Sequence, residues 1–214
     1  MQVIMKVKLP KIVSVFPLSG VIFFPKTNLP LNIFEPRYLE LIDDCAKSNK
    51  YMGMIQSKRE SADVYSVGCL GKITENKKTK DGRNLVNLIG ITRFEIISEI
   101  NNNKNYREFE VSYEKFQEDL DPKKEQSKKL EKIKELSEKT KKFFKKNGLL
   151  LNWREFEKLD ENQRINTLAM IAPISNEEKQ SILETVDVQS KTKILSEIIE
   201  FYLHENPINK LTIQ

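Results

Sequence analysis

Residues 16–38 read Phe16-Pro17-Leu18-Ser19-Gly20-Val21-Ile22-Phe23-Phe24-Pro25-Lys26-Thr27-Asn28-Leu29-Pro30-Leu31-Asn32-Ile33-Phe34-Glu35-Pro36-Arg37-Tyr38, and this stretch sets the reading of everything around it. Pro17, Pro25 and Pro30 each fix φ and remove a backbone donor, which suits sheet edges and irregular crossings better than a central ladder. Two short strands are predicted, Ile12 to Phe16 and Leu29 to Ile33, with Phe16, Phe24, Leu31 and Phe34 as apolar anchors. Glu35-Pro36 then opens a helix: Pro36 suits its first position, and Glu35 sits favourably at the positive end of the helix dipole. Tyr38, Leu41, Ile42 and Cys45 recur at i, i+3, i+4, i+7 and give that helix one buried face. Arg93 is a candidate ion-pair partner for Glu35.

Outward from this segment the pattern stays β-rich as far as residue 116. Tyr51 to Gln56 is a strand. Val64 to Glu75 and Leu85 to Ile100 read as a long antiparallel pair, with Asp81-Gly82 between them as a hairpin turn. Tyr106 to Phe116 alternates and reads as a last strand. Gly68, Gly71 and Gly90 lie inside strand patterns, where glycine marks a bulge or tight bend. Six short strands and one helix suggest a small barrel-like sheet. Beyond it, Lys, Glu, Leu and Ile recur at helical spacing. Residues 117–122 are expected to be a linker, 123–205 a helical bundle of four helices, and 206–214 a tail. Asn147-Gly148 supplies a C-cap signal; Asp160 to Gln163 and Ser175 to Glu178 fit capping boxes, and Asp187 is a candidate cap for the last helix.

Composition narrows the chemistry. The 214 residues carry 36 Lys+Arg against 31 Asp+Glu, with one His and two Cys. Cys45, Cys69 and His204 are far apart and have no metal-ligand spacing, so no metal and no other cofactor is expected, and free thiols are. Gly71-Lys72 is followed by Ile73 and lacks the upstream glycine of a phosphate-binding loop. No Ser sits in a nucleophile turn, and a Ser–His–Asp triad would have to recruit His204. No apolar run approaches a membrane span, and the N-terminus lacks a secretory core, so a cytoplasmic protein is expected. Residues 123–146 hold 11 Lys and 4 Glu. That helix reads as a nucleic-acid contact or as a solvated face with i,i+4 pairs.

The quoted segment resembles the opening of the Lon protease N-terminal domain, whose pattern runs F-P-L-x-G-x-x-x-F-P and then L-P-L-x-I-F-E-P-R-Y. Met52-Gly53-Met54, Val67 to Ile73, Asp81-Gly82-Arg83 and Gly90-Ile91-Thr92-Arg93-Phe94 add to the resemblance, which spans essentially the whole chain. It implies an α+β fold with a PUA-like small β-barrel over 1–116 followed by the helical bundle. Phe16, Pro17, Gly20, Phe24, Pro25, Pro30, Glu35, Pro36, Arg37, Gly68, Gly71, Gly90, Arg93 and Phe94 are its mainly structural motif. It also implies recognition of unfolded or partly folded polypeptides and contact with a protease or chaperone. Full Lon proteases continue into an ATPase and a Ser–Lys protease, and no Walker motif occurs here, so a stand-alone, non-catalytic adaptor is expected. Phe34, Tyr38, Met52 and Met54 are the candidate substrate-binding residues, Met because its flexible thioether adapts to varied partners. The alternatives are an RNA-binding PUA-like protein and, less favoured, a small hydrolase.

Overall fold

The computed structural model describes residues 8–58, 63–120 and 130–204, and within the helix that opens at Leu130 it describes side chains from residue 134. Six strands are present: β1 (Ile12–Leu18), β2 (Asn28–Ile33), β3 (Tyr51–Gln56), β4 (Val67–Lys78), β5 (Asn84–Ile100) and β6 (Glu108–Ser112). The helix α1 (Pro36–Lys47) follows β2, and α2 (Leu130–Lys146), α3 (Trp153–Phe156), α4 (Glu161–Ile171), α5 (Asn176–Glu184) and α6 (Val188–His204) make up the C-terminal part.

The sheet order is β2-β5-β4-β3-β1-β6, and β6 also pairs with β5. The pairings β1–β3, β3–β4, β4–β5, β5–β6 and β6–β1 therefore form a circuit, with β2 attached outside it along the first half of β5. All are antiparallel except β1–β3, a parallel pair whose connection runs through β2 and α1. The β4–β5 hairpin turns at Gly82, where φ of 86° requires a residue without Cβ.

The last strand is shorter than its alternation predicts. It ends at Ser112, and Glu114–Leu120 is a 3-10 segment whose Phe116 is buried. The described part of the expected linker, 117–120, belongs to this 3-10 segment. The other expected limits at 121–123 and from 205 onward lie outside the described residues. Helix ends follow local chemistry closely. Asp160 accepts from the Gln163 N–H at 2.8 Å while the Gln163 side chain accepts from the Asp160 N–H. Ser175 and Glu178 reciprocate in the same way, and Asp187 accepts from the Ser190 N–H. The short α3 carries no periodic signal; Asn152 caps it, and Trp153 and Phe156 pack edge to face.

Sheet and helices share one apolar cluster. Ile22, Phe24, Val67 and Phe116 pack with Leu136, Phe143, Ile165, Leu168, Ile182, Leu195 and Ile199. A second cluster fills the space between α1 and the sheet, around Phe16, Tyr38, Leu41, Met52 and Leu88. Both thiols, Cys45 and Cys69, are free and buried, and burial pushes that of Cys45 up to about 12.

Candidate functional site

The four candidate binding residues separate cleanly. Tyr38, Met52 and Met54 are buried, Tyr38 with its ring 4.1 Å from that of Phe16. They belong to the core between α1 and the sheet and offer no surface to a ligand. Phe34 alone stands out of the fold, 65% exposed, and so is not the interior anchor its sequence context suggests.

Phe34 continues the outward-facing set of β2, namely Asn28, Pro30 and Asn32, all exposed. Antiparallel partners point to the same side of a sheet. Asn28 is opposite Ile89, Pro30 opposite Asn87, and Asn32 opposite Leu85. On the other side of β5, Ile89 meets Lys72, Asn87 meets Glu75, and Leu85 meets Lys77. The three-stranded outer face thus carries Ile89 at 38% exposure, Leu85 at 45%, Pro30 and Phe34, with Lys72 and Lys77 alongside. The Lys72 ammonium lies 5.9 Å from the centre of the Tyr51 ring, which extends the first row onto β3. Sequence reading missed Leu85 and Ile89, because Leu85-Val86 and Leu88-Ile89 are apolar on both faces and only the register shows which side each takes.

The remaining motif residues build the joint between sheet and helices. The Arg93 guanidinium is buried and uses all five of its N–H donors. Nε and Nη2 donate to Asp119 at 2.9 and 2.8 Å, Nη1 to the carbonyls of Leu183 (3.0 Å) and Thr185, and Nη2 also to the carbonyl of Val186 (3.0 Å). It stacks 4.2 Å from the centre of the Phe116 ring. A cation thus closes the carboxyl end of α5, where free carbonyls favour positive charge. The expected Arg93–Glu35 pair does not form: Glu35 accepts from Nε and Nη2 of Arg37 at 3.0 and 2.8 Å.

Gly90 is needed for close approach more than for a bend. A Cβ there would lie 2.2 Å from the Phe24 carbonyl oxygen. The Phe24-Pro25-Lys26 turn is docked on β5 through Lys26 N–H to the Gly90 carbonyl at 2.8 Å, and on α4 through the Asn166 amide to the Pro25 carbonyl at 2.9 Å. Gly68 is equally crowded, by the Phe94 ring and the Met54 carbonyl, whereas Gly71 adjoins a register shift as its bulge reading predicts.

Beside this joint lies Lys191, 3% exposed, whose ammonium donates to the Asn166 side-chain oxygen at 3.5 Å. Burial first, and then the neighbouring Arg93 charge, pull it down to about 7. A polar cleft of about 350 Å³ lies elsewhere, between the end of α1 and the starts of β1 and β6. There Tyr106 donates to Asp44 at 2.7 Å and Lys104 to Glu108 at 2.8 Å. Among the described residues no group of three or more His, Cys, Asp or Glu side chains could hold a metal ion. No described helix is long and apolar enough to cross a membrane.

The mixed sheet-and-helix fold is that of Lon N-terminal domains. The chain belongs to the family of ATP-dependent protease La (LON) substrate-binding domains, whose model matches residues 12–200. Lon protease 2 of Myxococcus xanthus is 23% identical over 207 residues, which are 91% of this chain and 24% of that protein; the chain thus spans about a quarter of this relative's length. A Lon N-terminal domain protein of Xanthomonas campestris superposes with a TM-score of 0.65 at 20% identity, covering 86% of this chain and 96% of the other. The N-terminal domain of the Lon protease of the Mycobacterium avium complex gives 0.62 at 20% identity, covering 89% and 98%.

Proposed function

We propose that this chain is a polypeptide-recognition module that performs no bond chemistry itself and presents unfolded or partly folded chains to a protease or chaperone. The match to a substrate-binding domain over residues 12–200 carries this reading. The outer face supports it, since Phe34, Leu85 and Ile89 offer exposed apolar contact. The circuit of strand pairings fits a PUA-like barrel over 1–116, with the helices as a bundle behind it. Buried free thiols suit a reducing, cytoplasmic setting.

An RNA-binding role would draw on a free basic face, and three of the six α2 lysines with described side chains are already engaged. Lys139 pairs with Glu135 and Glu200, Lys141 with Glu138 and Glu157, and Lys146 caps the Tyr202 and Leu203 carbonyls of α6. The test is binding of fluorescently labelled, chemically unfolded casein by the whole purified chain, with a folded protein as control. Saturable binding of the unfolded chain, with casein left intact with or without ATP, is expected. Equal affinity for the folded control, or cleavage of casein, overturns the reading.

A further inference from the structure

We infer that the outer face of β2–β5–β4 takes an extended polypeptide segment that alternates apolar with acidic side chains, an inference that rests on the polypeptide-recognition reading. The argument begins with geometry. Single exposed apolar residues are ordinary on any surface. Here they occupy adjoining positions of one face. Leu85 and Ile89 are four residues apart on one strand, about 13 Å at the usual rise. Pro30 lies between their levels on the neighbouring strand, and Phe34 follows at the end of β2. That length matches about four residues of an extended chain, whose side chains alternate at the same rise.

Charge selects the occupant. Lys72 is opposite Ile89 and Lys77 opposite Leu85, each one strand away, about 5 Å. Neither lysine makes an ion pair among the described residues, and both are exposed. Glu75 is the one acidic side chain in these rows, lying between them opposite Asn87. The hairpin that carries the two lysines, 72–83, holds five basic and two acidic residues, of which Lys78 is paired with Asp43 and Arg83 with Asp81. An alternating segment standing on edge between the two rows would direct the side chains of one side onto Leu85 and Ile89 and the carboxylates of its other side to Lys72 and Lys77. A lysine-bearing segment would meet like charge at the same places.

The edge of β2 is the less suitable surface. The Gly90 N–H donates to the Thr27 carbonyl, which sets the phase of the β2–β5 ladder. Asn28, Pro30 and Asn32 then turn their backbone polar groups away from β5. Pro30 has no N–H to offer there, so a strand added at this edge would lose a rung at its centre. Recognition through side chains on the face follows.

The test is fluorescence anisotropy of the whole chain with three labelled ten-residue peptides that share alternate Leu and Phe positions, the intervening residues being all Glu, all Ser or all Lys. The Glu peptide is expected to bind at least tenfold more tightly than the Lys peptide at low salt, with the gap narrowing as salt rises. Lys72→Glu with Lys77→Glu should invert that order. Leu85→Ser with Ile89→Ser should weaken all three peptides at least fivefold while circular dichroism stays unchanged. Equal affinity for the three peptides, or an order unmoved by the charge reversal, overturns the inference while leaving polypeptide recognition standing. Absence of binding to every peptide and to unfolded casein overturns recognition itself. A single-stranded oligonucleotide that binds more tightly than any peptide, and is lost in the charge-reversed variant, assigns the face to nucleic acid and overturns both.

Discussion

Tyr38, Met52 and Phe34 lie close together in the sequence pattern but do different work. Tyr38 and Met52 fill the core between α1 and the sheet, so truncating either leaves a cavity. Met52→Ala is expected to cost about 2–5 kcal/mol in urea unfolding. Phe34→Ala removes little buried area and should stay within about 0.5 kcal/mol of the parent. The same Phe34 variant should weaken binding of unfolded casein severalfold, read by anisotropy; unchanged binding would remove Phe34 from the recognition surface. Lys191 gives the sharpest pH signature. Its ordinary value is 10.5 and in the fold it lies near 7. Between those values the unfolded chain holds a proton that the folded chain has released. Stability contributed by this group therefore rises as pH rises through the window, and the burial penalty is fully present below about pH 7. The charged and titratable groups around it are Arg93 on β5, Asp119 of the 3-10 segment, Cys69 on β4 and Asp187 before α6. Lys191→Met should raise stability by a few kcal/mol at pH 6, by much less near pH 10, and flatten the slope between. A variant equally stabilised at both pH values would show that shape, not charge, decides this position.

At the scale of elements, local chemistry placed the helix ends and non-local chemistry placed the rest. The capping boxes at Asp160 and Ser175 are contained in four consecutive residues each, so they could be read directly from the chain. Each orphan N–H they satisfy is worth about 1 kcal/mol, and Ser175→Ala should lower the urea midpoint accordingly, whereas Ser175→Asp should hold it. A midpoint unmoved by Ser175→Ala would mean that tertiary packing alone fixes the start of α5. The 3-10 segment was not readable. Phe116 and Asp119 look like the end of a strand and a polar linker until Arg93, on a strand 26 residues upstream of Asp119, is placed beside them. The parallel β1–β3 pairing escaped for the same reason, since nothing in either strand names its neighbour. The outer face was only half readable. Phe34 shows in the sequence as an aromatic ahead of a helix, but Leu85 and Ile89 acquire a side only through the register with β2 and β4.

For the whole molecule, the question is whether the sheet and the helices unfold as two units or one. The boundary in composition near residue 116 suggests two. The contacts say otherwise. Ile22, Phe24, Val67 and Phe116 are buried in the same cluster as the helix residues Leu136, Ile165, Leu183 and Leu195. Polar ties cross at the same place: Arg93 to the end of α5, Asn166 to Pro25, and Gln180 to the Val67 carbonyl. Separating the two parts would expose that cluster and break the hydrogen bonds from Arg93 to the Leu183 and Val186 carbonyls. Two internal reporters distinguish the possibilities. Trp153, the single tryptophan, packs on Phe144 and Phe156 within the helical part. Cys45 and Cys69, the only thiols, are buried in the β-rich part. Tryptophan fluorescence and thiol labelling, followed across one urea gradient, should give coincident transitions. Phe116→Ala, which removes a ring shared by both parts, should move the two curves together to lower urea by an amount equivalent to about 3–5 kcal/mol. If thiols became accessible while the tryptophan signal stayed native, the sheet would be opening alone. Its outer face would then be presented by a part able to move against the helices, whereas coincident curves make it a rigid surface held by the Arg93 joint.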